Sequence, residues 1–149
     1  MSATHTISAS SVSQTSPSPS GLLSIEEQTQ LLNLQRAILK SIARGADHME
    51  VITQTCRLAE SLLPNAFSSV MLMDENYELL NIYAAPSLTP MQIKRANGLR
   101  PSPGGGSCGN VIYKQTVQYV SNTLTDDRWA DIRDLAYEFN IKACWSIPI

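Results

Sequence analysis

The run from Pro101 to Ile149, PSPGGGSCGNVIYKQTVQYVSNTLTDDRWADIRDLAYEFNIKACWSIPI, restricts the possible folds more than any other part of the chain. A glycine-rich turn carrying Cys108 leads into Ser107–Lys114, long enough for one or two turns of helix. Val117–Val120 is a short strand. Thr125 caps a helix reaching about Asn140, on which Trp129, Ile132, Leu135, Ala136 and Phe139 share one face. Ala143–Ile149 is a second strand. It needs neighbours in a sheet, because an unpaired row of backbone groups invites association.

Upstream, Leu31, Leu34 (or Gln35), Ile38 and Ile42 recur at helical spacing between Ser24 and Ala43. Ser24 and Glu27 form a capping-box pattern, and Gly45 is a stop. Asp47 opens a second helix with Glu50 at the box position. Val51, Ile52, Thr55, Ala59 and Leu62 are its buried stripe, and Pro64 lies just past its end. Ala66–Asp74 and Glu78–Ala84 read as a hairpin around Asp74-Glu75-Asn76-Tyr77. Thr89-Pro90-Met91-Gln92 begins a short helix that ends near Asn97-Gly98. A hairpin followed by helix-separated strands indicates an α+β fold, an antiparallel sheet with helices against it.

Residues 1–21 are rich in Ser and Thr, and the first 25 residues contain no Asp, Glu, Lys or Arg. Such a segment buries little apolar surface, so a disordered tail is expected, with the domain spanning 22–149. At 149 residues the chain favours one domain. A formal charge of −2 provides no basic footprint for nucleic acid. No apolar run approaches the ~18–20 residues of a membrane span, and no signal-peptide pattern opens the chain. A cytoplasmic protein with thiol cysteines is expected, because Cys56, Cys108 and Cys144 are too few and too scattered for a disulfide scaffold.

Gly104–Gly109 matches G-x-G-x-x-G, but Pro101 and Pro103 preclude the buried strand that precedes a dinucleotide loop. The glycines are read as conformational, required where φ is positive. Cys108, at a helix N-terminus, is either a thiol of lowered pKa or a small core side chain. His5 and His48 are far from it in sequence, so no Cys–His pair is indicated, and the cysteines and histidines lack metal-ligand spacing. Cys108 and Cys144 are candidates to meet in space. Asp126, Asp127, Asp131 and Asp134 read as helix-end charges that pair locally with Arg128 and Arg133. Trp129 and Trp145 are core anchors or, in a pocket, stacking surfaces.

Taken together, the G-S-C-G turn, the Y-V-S-N run, T-D-D-R-W-A-D-I-R-D-L-A and K-A-C-W-S-I-P-I resemble a GAF domain of bacterial sensor proteins. In such proteins it precedes diguanylate cyclase, phosphodiesterase (cyclic di-GMP signalling) or histidine kinase outputs. The resemblance covers about Leu31 to Ile149. It implies a central antiparallel sheet with helices on one face, a small-molecule pocket on the other, and dimerisation through terminal helices. The residues matching the family pocket are Ser107, Cys108, Gly109, Asn122, Trp129 and Tyr83. Asn122 and Asp127 stand where the family commonly has Asp and Pro. A full GAF sheet continues past Ile149 to a further central strand and a helix. The resemblance therefore implies a C-terminally incomplete sheet with exposed edges on Ala143–Ile149 and on the first hairpin strand.

The function this implies is a non-catalytic sensory module of a signal-transduction protein. It would bind an unidentified small molecule, form a homodimer through its N-terminal helices, and engage neither nucleic acid nor the membrane interior. No cofactor is specified. Two alternatives remain. One is a redox sensor using Cys108 and Cys144. The other is a reductase like the free methionine-R-sulfoxide reductases, whose further catalytic cysteine would fall near Asp131-Ile132-Arg133, where this chain has no thiol.

Overall fold

The computed structural model describes residues 3–9, 24–63 and 65–149. Five strands form one antiparallel sheet: β1 (Ala3–Ala9), β2 (Ala66–Met73), β3 (Leu80–Ala84), β4 (Gln118–Val120) and β5 (Ala143–Pro148). Their spatial order is β3-β2-β1-β5-β4. The helices are α1 (Ile25–Ala43), α2 (His48–Leu62), α3 (Pro90–Ala96), α4 (Gly106–Lys114) and α5 (Arg133–Glu138), with a 3-10 helix at Asp127–Ile132. The α+β arrangement, a GAF-like sheet with its long helices on one face, is the one expected.

The segment 3–9 departs from expectation. It was expected to belong to a disordered tail, yet Ala3–Ala9 is the central strand of the sheet. The remainder of that expected tail, 1–2 and 10–21, lies outside the described residues. β1 pairs with β2 from Ala3↔Leu72 to Ala9↔Ala66, and with β5 from Thr4↔Pro148 to Ala9↔Ala143. The edges expected to be exposed on the hairpin strand and on Ala143–Pro148 are thus both occupied. Composition misled here because a central strand gains its place through two backbone ladders as well as apolar burial. Thr and Ile, β-branched, suit such a strand. Thr4 and Thr6 are buried.

Local chemistry explains most element ends. The Ser24–Glu27 and Thr89–Gln92 capping boxes both form. Asp47 caps α2 through the Met49 N–H, 2.9 Å away. Asp74 Oδ1 accepts the N–H groups of Glu78 and Leu79, which closes the hairpin turn. The helix expected from Thr125 to Asn140 is instead two pieces. Asp126, not Thr125, is the cap: its carboxylate accepts the Arg128 N–H at 2.9 Å, and the first six residues wind as a 3-10 helix before α5. Asn140, with φ 53°, ends the run.

The two faces of the sheet are covered differently. α2 sets Cys56 and Ile52 against Val70, Leu72, Tyr83 and Ala84. α1 packs on α2 and has no buried residue, so the stripe of Leu31, Leu34, Ile38 and Ile42 is only partly covered. On the opposite face a second cluster gathers Val120, Trp129, Leu135, Ala136, Phe139, Ile141 and Cys144.

Thr6→Pro tests the central placement of β1. Proline removes a ladder N–H in a strand flanked on both sides and strands a buried carbonyl. A loss of at least about 1–3 kcal/mol is expected in urea unfolding. Deleting residues 1–9 should expose the facing edges of β2 and β5 and raise aggregation, measured by light scattering. An unchanged midpoint and a clear solution would contradict the placement.

Candidate functional site

Strand alternation builds the site. On β2, Phe67, Ser69 and Met71 point to one side, and Val70 and Leu72 point to α2 on the other. Thr6 of β1, Cys144 of β5 and Ile82 of β3 share the first side. Above them, Ala96 of α3, Leu99, Trp129 and Ile132 of the 3-10 helix, and Leu135 of α5 form a roof. Between floor and roof lies a cavity of about 60 Å³. Its lining among the described residues is mostly aliphatic and aromatic, with Thr6, Ser69, Cys108 and Cys144 as its polar or polarisable members. No Asp, Glu, Lys, Arg or His is among these lining residues.

The glycine-rich turn sets the position of Cys108. Gly104 passes so close to the 3-10 helix that a Cβ would run into the Asp131 carboxylate, and its carbonyl accepts the Asp131 N–H at 3.1 Å. Gly106 has φ 71°, and a Cβ there would lie 2.6 Å from Ile132 Cδ1. Both glycines therefore let the turn dock on protein, in keeping with the conformational reading of the G-x-G-x-x-G match. Asn110 donates from its amide to the carbonyls of Pro103 and Ser102, which fastens the loop to α4. The Trp129 indole N–H donates to Ser107 Oγ at 3.1 Å, which ties the roof to the first turn of α4.

Cys108 is the third residue of α4 and is half-buried, with its sulfur at the cavity floor. Thr6 Oγ1 lies 3.0 Å from Cys108 Sγ and 2.9 Å from Ser146 Oγ. Ser146 Oγ is 3.6 Å from Cys108 Sγ and 3.9 Å from Cys144 Sγ. Three elements, β1, α4 and β5, thus meet in one cluster of hydroxyls and thiols. Hydrogen bonding from Cys144 lowers the Cys108 thiol from its ordinary 9.0 to about 7, against the opposing effect of burial. Thr6, Ser146 and a backbone N–H add to the lowering. Cys56, on the α2 side of the sheet, is shifted the other way: burial raises its thiol pKa.

Of the residues selected from sequence, the structure brings Cys108, Cys144 and Trp129 to the cavity, with Ser107 bound to Trp129. Gly109 instead faces the Arg100–Ser102 backbone. Asn122 is exposed and caps the Leu124 N–H at 3.0 Å. Tyr83 belongs to the cluster under α2. The acidic run is used locally. Asp126 accepts from the Arg128 guanidinium at 2.6 and 2.9 Å, and this pairing holds its carboxyl below the usual range. Asp134 pairs with Arg95, and Asp131 accepts from Ser102 Oγ at 3.3 Å. Sequence reasoning missed Thr6, Ser69 and Ser146. Ser69 and Ser146 were detectable from alternation, sharing a strand face with Met71 and Cys144 respectively. Thr6 had only the short β-branched pattern T-x-T-I.

Among the described residues no group of three His, Cys, Asp or Glu side chains is placed to hold a metal ion. No described helix is long and apolar enough to cross a membrane. No protein-family model matches the chain, and no solved structure matches it. A curated relative, the methyl sulfide methyltransferase-associated sensor of Methanosarcina acetivorans, is 30% identical over 124 residues. The matched stretch is 83% of this chain and 12% of that protein. The likeness supports a sensor-type, regulatory domain.

The lowered thiol has a consequence for pH. Its folded pKa lies below its unfolded value, so the thiolate's contribution to stability is complete above about pH 9 and is lost as pH falls through about 7. Unfolding free energy of the wild type minus that of Cys108→Ser should rise from pH 7 to pH 9 in urea titrations. Alkylation of Cys108 by iodoacetamide, followed by peptide mass spectrometry, should show a midpoint near 7. A midpoint at the ordinary thiol value would contradict the cluster's effect.

Proposed function

We propose that the chain is a GAF-type sensory module that binds a small, uncharged, largely apolar molecule in the cavity above β1, β2 and β5. It acts non-catalytically on an attached output domain of a signal-transduction protein. The observation carrying this reading is the cavity itself, apolar on its walls and roof, with hydroxyls and thiols confined to the floor. An apolar enclosure with a few convergent polar groups is the usual form of a small-molecule site. An anionic ligand entering it would lose its hydration with no cation among the lining residues. Nucleotides and cyclic dinucleotides are therefore disfavoured as occupants. The relative named as a sensor supports the regulatory role.

The floor suits a ligand with one hydrogen-bonding or polarisable atom, and short thioethers such as dimethyl sulfide fit this description. The name of the relative, which joins a sensor to methyl sulfide chemistry, makes them the first probes. Binding would be read from Trp129 fluorescence, since Trp129 is in the roof, and from thermal shift. Short thioethers, alcohols and ketones should be compared with cyclic di-GMP and cyclic GMP. A neutral compound that shifts both signals, with the nucleotides silent, is the expected result. Ser69→Leu fills the cavity from the floor and should abolish the response while circular dichroism stays unchanged. Binding that survives Ser69→Leu would place the ligand elsewhere, and silence of every neutral probe would count against the reading.

A homodimer through the N-terminal helices is part of the same proposal. Ile25, Leu32 and Leu39 are all exposed on α1 at seven-residue spacing, with Ile42 following three residues after Leu39. This is the spacing of one of the two seam positions of a two-helix coiled coil, the other being Gln28, Gln35 and Ile42. Leu32→Glu with Leu39→Glu should convert a dimer to a monomer by light-scattering mass. A wild-type chain that is monomeric at high concentration would remove this part.

A further inference from the structure

We propose that Cys108 and Cys144 form a peroxide-oxidised thiol pair, in which Cys108 reacts first and Cys144 resolves it to an intramolecular disulfide. The proposal does not depend on the cavity binding a ligand.

The geometry supplies each requirement. The two sulfurs come from different elements, α4 and β5, both line the cavity floor, and both lie within 3.9 Å of Ser146 Oγ. Cys108 is partly exposed at the cavity, whereas Cys144 is 1% exposed. A small uncharged oxidant such as hydrogen peroxide can enter an apolar cavity that excludes ions. It meets Cys108 first. Thiolates are the reactive form. The Thr6 and Ser146 hydroxyls lie 3.0 and 3.6 Å from this sulfur, where a hydroxyl proton can turn toward its thiolate, and the Cys108 backbone N–H at the first turn of α4 adds to the stabilisation. No histidine or second base is needed, because the anion is stabilised by these donors.

The chemistry balances. The Cys108 thiolate attacks one peroxide oxygen: an S–O bond forms, the O–O bond breaks, and the leaving hydroxide takes up a proton as water. Cys108 is then a sulfenic acid. The Cys144 sulfur attacks it: the S–S bond forms, the S–O bond breaks, and the Cys144 proton leaves with the hydroxyl as a second water. Two electrons pass from the pair of sulfurs to the peroxide.

The disulfide would remove the Cys108 thiolate that Thr6 donates to, so the oxidised state weakens one side-chain tie between the central strand and α4. Cys56 is an internal control. It lies on the other side of the sheet, fully buried, with its thiol pKa raised by that burial.

The test uses the full 149-residue chain, reduced and then exposed to a small excess of hydrogen peroxide at pH 7.5. Intact mass should fall by two hydrogen atoms, and non-reducing peptide mapping should join Cys108 to Cys144 and leave Cys56 alkylatable. In Cys144→Ser the reaction should stop at a dimedone-trappable sulfenic acid on Cys108. In Cys108→Ser neither product should form. Thr6→Val keeps a β-branched residue in the strand but removes the donor, and should slow oxidation at pH 7 several-fold, with Thr6→Ser restoring it. Circular dichroism of each variant separates lost chemistry from lost fold. The proposal is overturned if the folded wild type keeps three titratable thiols after peroxide. It is equally overturned if the bond formed is intermolecular or uses Cys56, or if folded Cys144→Ser gives no sulfenic adduct.

Discussion

The paired backbone ladders on either side of Ala3–Ala9 are the interaction on which the rest of the structure depends. β2 and β5 are not neighbours in the sheet. Each is held through β1, and β3 and β4 are in turn held by β2 and β5. The helices on both faces therefore sit on a surface that exists only while this strand is in place. Its side chains extend the same role: Thr6 links backbone pairing to Cys108 and Ser146. The strand that completes the sheet is thus also part of the floor of the cavity.

Around that floor the chain positions chemistry through close backbone approach. Gly104 and Gly106 permit the turn before α4 to lie against Asp131 and Ile132. That contact brings the roof, the turn and Cys108 into one unit, fastened by the Trp129 to Ser107 hydrogen bond. A hydroxyl or indole N–H buried without a partner would cost about 1–3 kcal/mol, so each of these pairings also fixes the rotamer it satisfies. The outcome is an environment in which two thiols on the same chain behave oppositely. Cys108 is pushed down by donors, and Cys56 is pushed up by burial.

The outer rim relies on a charge pair of a different kind. Arg128 grips the Asp126 carboxylate and reaches on to Gln118 Oε1 at 3.1 Å and the Tyr119 carbonyl at 3.0 Å. It thereby attaches the 3-10 helix to β4, which among the described residues is an edge strand. Paired charges beside an edge strand also discourage further strand addition there. On the opposite face Tyr119 and Trp145 meet edge-to-face with ring centroids 6.3 Å apart, and both remain exposed.

How much of this was legible depends on the range of the interactions involved. Capping boxes at Ser24 and Thr89 and the turn at Asp74 act over a few residues, and the sequence by itself determined them. The glycine-rich turn was legible as conformational because proline before it excludes the alternative. Cys108, Cys144 and Trp129 could be selected as residue types, but their meeting could not. It requires α4 and β5 to be brought together across a sheet, and no local pattern encodes that distance. The division of the Thr125–Asn140 stretch into a 3-10 helix and α5 was likewise hidden, since its apolar spacing serves both. Only the tertiary structure decided the place of Ala3–Ala9. A seven-residue run whose one large aliphatic side chain is Ile7 has little burial energy of its own, and it becomes a strand because β2 and β5 present backbone donors and acceptors on both sides of it.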